Sequence, residues 1–411
     1  MLWGSRRAKA PIAPRAPTAR RTRPVTTIYL DNAATTPVAP AVRTAMAPFL
    51  EAEFGNPSTR YALGVRAAEA IDRARELVAR AVGARAREVT FTSGGTEANN
   101  LAVLGLARQR GFHRSRRRNQ LVIGPTEHPS VRASAFALRD EGFEVREARL
   151  LPDGGLDLEA FEELLTEDTV LVAQMLVNNE VGSVYPVSEL ARIVRRSAPN
   201  AALHVDAVQG LGKLELSIEE LGADTLAISA HKVHAPKGTG ALVTRGKVDL
   251  RPLVFGGGQE SGRRPGTENV AGIVAFGEAA RLADTGREEG VRAMAAARDA
   301  FVRGLERVPG ARLLIDGSPV VPSICAIALA GAPAEVWLHH LEARGVCASA
   351  GSACNAGKKE LSPVALALGL TPDEARRVMR FSFAAATTVA EAERAAALLA
   401  ELATELEAVQ S

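Results

Sequence analysis

The sequence predicts an α/β protein in which a large, mostly parallel sheet covered by helices is followed by a smaller α+β unit. Three observations lead there. From about Glu88 onward, short β-branched runs alternate with stretches whose apolar residues recur at helical spacing. Several of those runs end directly in polar or glycine-rich clusters. After "GGGQESGRRPGTEN" the texture changes to long Ala/Arg/Glu helices.

Taken in chain order, residues 1–24 come first, with Arg6, Arg7, Lys9, Arg15, Arg20, Arg21 and Arg23 among Pro and Ala and no acid. That composition predicts a disordered basic tail with no part in catalysis, and it resembles an organelle transit peptide or an untidy N-terminal extension. Residues 25–40 are expected to join the small domain, 41–269 to form the large domain, and 270–411 to form the small C-terminal domain. The strand candidates of the large domain are "EVTFTS", "QLVIG", "TVLVAQMLV", "ALHVD", "TLAIS" and "GALVTR", with helical stretches such as "VSELARIVRRS" between them. The small domain has "SICAIALA" and "RVMRFSF" as strands and a closing amphipathic helix from about Val389. No internal repeat is visible.

Composition excludes several function classes. A chain of 411 residues, 46% hydrophobic and 24% charged, has ample material for a large core. No run approaches the roughly 18 to 20 apolar residues of a membrane span, and the N-terminus has no apolar signal core, so a cytoplasmic protein is expected. Three cysteines make no disulfide framework and point to a reducing compartment. The net charge of +3 comes from the tail; without it 43 bases face 47 acids. The basic run "HRSRRRN" at 113–119 lacks interleaved aromatics and reads as a solvated loop, so no direct nucleic-acid contact is expected.

The chemistry is carried by the strand ends. In "FTSGGTEANN" a strand stops, two glycines turn, and Gly95 and Thr96 open a helix whose free N–H groups make an anion site. Such a turn is by itself equally compatible with a structural role. It gains meaning from "HVDAVQG" and "SAHKVHAPKG", which place Asp206 and Gln209 at one strand end and Lys232, after Ser229 and His231, at the next. A cofactor with a basic ring nitrogen, an aldehyde and a phosphate suits them all. Pyridoxal phosphate is that cofactor, with a lysine bonding the aldehyde and an Asp pairing with the ring nitrogen. Lys213 and Lys237 read as surface lysines. His128 in "PTEHPSV" can lie flat on an aromatic ring and exchange protons near neutral pH, and Asn179 in "VNNEVG" can donate to a phenolate oxygen.

The chain resembles a known family at this point: the class V, fold-type I pyridoxal-phosphate enzymes, and among them the cysteine desulfurases of the IscS/NifS group. The resemblance runs through "IYLDNAATTP", "FGNPS", "SGGTEANN", "TEH", "VNNEVG", "HVDAVQ", "AHKVHAPKG", "GGGQESGRRPGT", "SAGSAC" and "RFSF". It implies that Lys232 holds the cofactor, Asp206 its ring nitrogen, Asn179 and Gln209 its ring oxygen, and that His128 stacks on the ring. Gly95, Thr96, Ser229 and His231 would bind the phosphate, with Thr267 reaching it from the partner of a homodimer. Arg380 would grip the substrate carboxylate, as a planar guanidinium suits.

The resemblance also accounts for Cys354, which stands among the smallest side chains in "SAGSACN". A desulfurase turns L-cysteine into L-alanine, and Cys354 would take the sulfur as a persulfide and pass it to an acceptor such as an iron–sulfur scaffold or a thiolation enzyme. Small neighbours let such a loop move. Cys347 is a rival by proximity but reads as part of a short strand, and Cys325 in "SICAIALA" reads as core. The pattern departs from the family at Ala230, His234 and Ala235, where Gly, Tyr and Gly are usual, and "RFSFAAATT" replaces "RFSLGRFTT". The long C-terminal extension that housekeeping members use to dock a scaffold is expected to be missing. Another class V activity, such as a selenocysteine lyase, a kynureninase-like hydrolase or an aminotransferase, needs the cofactor residues but not that cysteine. A non-catalytic assembly platform would need neither.

Overall fold

The computed structural model describes residues 27–111, 118–351 and 361–410. The basic tail, most of the "HRSRRRN" run and Cys354 lie outside them. The chain enters at β1 (Ile28–Tyr29) and continues through α1 (Pro40–Met46) and α2 (Ala62–Arg80). Strands and helices then alternate as β2 (Val89–Thr92), α3 (Gly95–Gly111), β3 (Gln120–Ile123), α4 (Pro129–Ala137), β4 (Glu144–Glu147), α5 (Leu158–Leu164), β5 (Thr169–Met175), α6 (Val187–Ser197), β6 (Ala202–Asp206), β7 (Thr225–Ser229) and β8 (Gly240–Thr244).

These strands form one seven-stranded sheet in the order β2-β8-β7-β6-β5-β3-β4. Its period-two alternation feeds two cores. Val122 of β3 and Val172 of β5 join the face that packs with Ile71, Val78 and Leu190, while Leu121, Ile123 and Leu171 join Leu101, Leu106 and Val131 on the other. The sheet is parallel from β7 to β4, and only β8 runs antiparallel to both neighbours. The cause is length: residues 230–239 joining β7 to β8 are too few for a parallel crossover, which takes a dozen or more. That same short connection carries Lys232. Strand β4 escapes sequence reading because "EVRE" buries only Val145, as an edge strand protected by charge does.

The chain continues as α7 (Val270–Thr285), whose Ile273, Phe276 and Ala280 join the core of the large sheet rather than the small domain expected from residue 270 onward. It then runs through α8 (Arg287–Leu305), β9 (Arg312–Leu313), β10 (Ile324–Ala328), α9 (Ala334–Ala343), β11 (Val346–Cys347), β12 (Ser349–Ala350), α10 (Pro363–Ala367), α11 (Pro372–Ala375), β13 (Val378–Ser382) and α12 (Val389–Gln410). An antiparallel sheet, β12-β13-β10-β9, shares a core with α8 and α12, in which Phe301 and Phe381 lie 4.5 Å apart between ring centroids. Helix α7 packs on α2, and Gly277 permits the approach: a Cβ there would come within 2.6 Å of the Ala74 Cα. Strand β1 pairs parallel with β11, and Asp31 bridges to Ser382. The segment after β1 is thereby tied to the small sheet while its next residues reach Lys232. Among the described residues no helix is long and apolar enough to cross a membrane.

Candidate active site

A cleft of about 600 Å³ opens where the C-terminal ends of β3, β5, β6 and β7 meet the small sheet. Its floor starts at α3, where Gly95 and Thr96 line the cleft at the helix N-terminus. Gly95 has a steric reason: an added Cβ would lie 2.8 Å from the Val208 side chain and 3.5 Å from that of Ser229. Ser229 closes β7, is buried, and its Oγ has no partner. His231 follows with Nδ1 3.2 Å from Thr35 Oγ1; burial, and then Lys232, Lys237 and Lys213, push its pKa down to about 4, so the ring is neutral. An unpartnered hydroxyl beside a helix N-terminus fits a phosphate group.

Lys232 Nζ donates to the carbonyls of Ala33 (2.6 Å) and Ala34 (2.8 Å), and Gln209 Nε2 donates to Ala33 O (3.0 Å). Asp206 ends β6, where Asn99 Nδ2 donates to its Oδ2 (2.7 Å) and the Val208 amide to its Oδ1 (3.0 Å). Asn99 is the hub of a buried network that sequence reading missed. Its other contacts are Ser130 Oγ (2.9 Å) and His204 Nε2 (3.0 Å), while His204 Nδ1 meets Thr225 Oγ1 (2.9 Å). Burial pushes His204 down to about 4, so it is neutral and orients rather than titrates. Asn99 falls inside the quoted "TEANN", but only the fold turns that side chain toward Asp206.

His128 caps α4: its Nδ1 accepts from the Ser130 amide (3.1 Å) and sits 2.7 Å from Ser130 Oγ. Burial, outweighing Asp206, lowers its pKa, so the ring is neutral. With Nδ1 accepting, its proton sits on Nε2. Of the two asparagines after β5, Asn178 is structural, accepting from the Glu180 and Val181 amides and donating to Thr126 O, whereas Asn179 lines the cleft. Arg380, on β13, is 3% exposed and held by Asp31 Oδ1 (2.8 Å) and Asn179 O (2.8 Å). Its Nε has no partner. Beside it Glu180, pushed up to about 7 by burial, accepts from Ser362 Oγ.

Thr267 does not line this cleft and is exposed. Lys237 is exposed at its rim. Lys213 corrects the sequence reading: it is half-buried, donates from Nζ to Lys232 O (2.9 Å), and is pushed down to about 7 by burial and then by the Lys232 cation. It is an amine held against the backbone of the cofactor-lysine candidate rather than a surface lysine. Gly351 and Pro363, on either side of residues 352–360, both line the cleft. Of the described cysteines, Cys325 is buried in β10 with its thiol pushed up to about 12. Cys347 is half-buried in β11, raised by burial and then by Glu342 and Asp31. Neither environment activates a thiolate.

Glu127 supplies a pH prediction. It is buried beside Asp206, its Oε1 accepts from the Met175 amide, and burial followed by the Asp206 charge lifts its pKa to about 8. Its Oε2 and Gln174 Oε1 are both unpartnered, and both side chains crowd Gly124. A protonated Oε2 gives that corner a donor. The folded pKa lies above the unfolded one, so the stability from this group is present in acid and lost as pH rises through about 8, by at most roughly 5 kcal/mol. Glu127→Gln mimics the protonated acid. Urea midpoints of the variant should therefore gain on the parent between pH 5 and 9, whereas parallel profiles would show an ionised Glu127.

A class-V aminotransferase profile matches residues 28–395. The cysteine desulfurase IscS of Dictyoglomus turgidum is 38% identical over 362 residues, covering 88% of this chain and 90% of its own length. A solved NifS-like protein superposes with a TM-score of 0.86 at 32% identity, over 92% of this chain and all of its own. The structure of SspA in complex with cysteine has a TM-score of 0.77 at 32% identity, over 87% and 99% of the two chains. The large parallel sheet with its helices and the small antiparallel unit are those of fold-type I, and the chain belongs to the cysteine desulfurases of the class-V aminotransferase family.

Proposed function

We propose that this chain converts L-cysteine to L-alanine with pyridoxal 5′-phosphate as cofactor, and that the sulfur is held as a persulfide on Cys354. The observation that carries the reading is the convergence of Lys232, Asp206, a neutral His128 and Arg380 on one cleft. The donor set fits the cofactor. Ser229 Oγ, Thr96, His231 and the α3 N-terminus suit its phosphate, Asp206 its ring nitrogen, Asn179 and Gln209 its ring oxygen, and Lys232 Nζ its aldehyde. Bound there, the cofactor delocalises the charge left on the substrate Cα when a proton is removed.

The chain's own residues do the rest. Arg380, fixed by Asp31 and the Asn179 carbonyl, has its Nε free for the substrate carboxylate. Lys232 Nζ, which donates to the carbonyls of Ala33 and Ala34, accepts the Cα proton once released from them. His128 holds a proton on Nε2 in the cleft and, as a neutral ring, can stack on the cofactor without adding charge. The Cys354 thiolate attacks the cysteine sulfur and the carbon–sulfur bond breaks. The electron pair stays with carbon, which takes up a proton to become the methyl group of alanine, while the sulfur remains on Cys354. The high thiol pKa values of Cys325 and Cys347 support this choice.

A homodimer, with Thr267 reaching the partner's phosphate site, completes the reading. Large apolar side chains stand exposed at Leu50, Phe54 and Tyr61 and at Val254 and Phe255, and the Arg75–Glu260 ion pair ties α2 to the segment that holds Thr267. The protein is assigned to the cytoplasm, with an iron–sulfur scaffold or a thiolation enzyme as acceptor. The test is to supply the purified, cofactor-loaded protein with L-cysteine and a reductant. Alanine and sulfide should appear in equal amounts; a 2-oxo acid without sulfide would indicate transamination instead.

A further inference from the structure

A second cavity, of about 200 Å³, lies between the two units and shares Ala33, Gln209 and Lys232 with the cleft as a common wall. Most of its surface is apolar, supplied by residues such as Leu211, Val233, Leu282, Met294 and Ile324. An engineered apolar cavity of about 150 Å³ takes benzene, so this one has room for a six-carbon chain or ring. No Asp or Glu is among the described residues that line it.

One pole of the cavity is built for negative charge. The nineteen-residue helix α8 begins there, with Gly286, Arg287 and Gly290 in the lining and no side chain capping its N-terminus. Glu288 is exposed to solvent, as is Glu289. Arg287 Nη1 lies 3.6 Å from the exposed Glu215, but its Nε is buried without a partner. Ser323 is an independent sign: it is 3% exposed, lines the cavity, and its Oγ has no partner. Buried donors left unsatisfied are costly, and a ligand oxygen would remove that cost. Lys213 adds a nearby amine from the large unit. His234, Ala384 and Ala385 also line the cavity.

We propose that this cavity binds a small monocarboxylate with a short apolar body, its carboxylate at the α8 N-terminus, Arg287 and Ser323, and its hydrocarbon against Leu211 and Ile324. A phosphate would leave the apolar wall uncovered, and a neutral hydrocarbon would leave the donors unsatisfied. The site takes no part in the cleft chemistry. Hexanoate is the probe, titrated into the full-length protein by calorimetry and by its carboxyl carbon-13 signal, with hexan-1-ol as the neutral control.

Hexanoate should bind saturably, hexan-1-ol at least about tenfold more weakly, and Arg287→Gln should weaken hexanoate about tenfold. Ala283→Leu grows into the cavity and should remove binding. Circular dichroism checks that this variant folds; if it does not, the Arg287→Gln comparison decides alone. Equal affinity for alcohol and acid, an unchanged affinity in Arg287→Gln, no hexanoate binding, or hexanoate displaced by L-alanine and therefore seated in the cleft would each overturn the proposal.

Discussion

Lys232→Ala is expected to lower alanine formation from L-cysteine by on the order of 10³-fold or more. In the proposed function the substitution removes one nitrogen with two tasks: bonding the cofactor aldehyde and taking the Cα proton. It should leave the fold intact, because Nζ donates to the carbonyls of Ala33 and Ala34 at the edge of an open cleft, where water can replace it. Borohydride treatment followed by mass spectrometry is the check. The parent should carry a pyridoxyl adduct on the peptide containing Lys232 and the variant none. An adduct elsewhere, together with continued turnover, would mean that another lysine does the work; Lys213, with its pKa near 7, is the first to examine.

Cys354→Ser should bind L-cysteine with a spectral change at the cofactor yet form no protein persulfide and release almost no sulfide. Serine is nearly the same size, so the argument turns on nucleophilicity alone: a hydroxyl at neutral pH is a far poorer nucleophile toward sulfur than a thiolate. The two other cysteines act as internal controls. Cys347→Ser should keep its activity, since that thiol is half-buried in β11 with Glu342 and Asp31 raising its pKa. Cys325→Ser should lose at most some stability, from a hydroxyl placed in the small core. Persulfide labelling and peptide mapping of all three variants gives the answer. A persulfide on Cys347, or normal alanine production without Cys354, would defeat the mechanism and leave the cofactor assignment standing.

The alternation of β-branched runs and helical stretches, read from the sequence alone, was enough to predict the layered sheet and to put "SGGTE", "TEH", "VNNEVG", "DAVQ" and "SAHK" at its C-terminal edge, because strand and helix periodicities are local properties. The antiparallel course of β8 is set by a connection of only ten residues, and β4 is hidden in the sequence because its strand is charged and packs one side chain. Motif resemblance named the cleft residues in the same way, since each sits in a short contiguous string. Tertiary structure decided everything that depends on distance in space between strings. It turned Asn99 into the donor that holds Asp206, set Asp31 against Arg380 across 349 residues, and buried Lys213 beneath Lys232. It also emptied the space between α8 and the β6–β7 region into a second cavity. A lysine, an asparagine or an aspartate looks the same in sequence whether it faces water or a buried partner. Desolvation and hydrogen bonding give each its chemistry, and both are settled only when distant segments pack together.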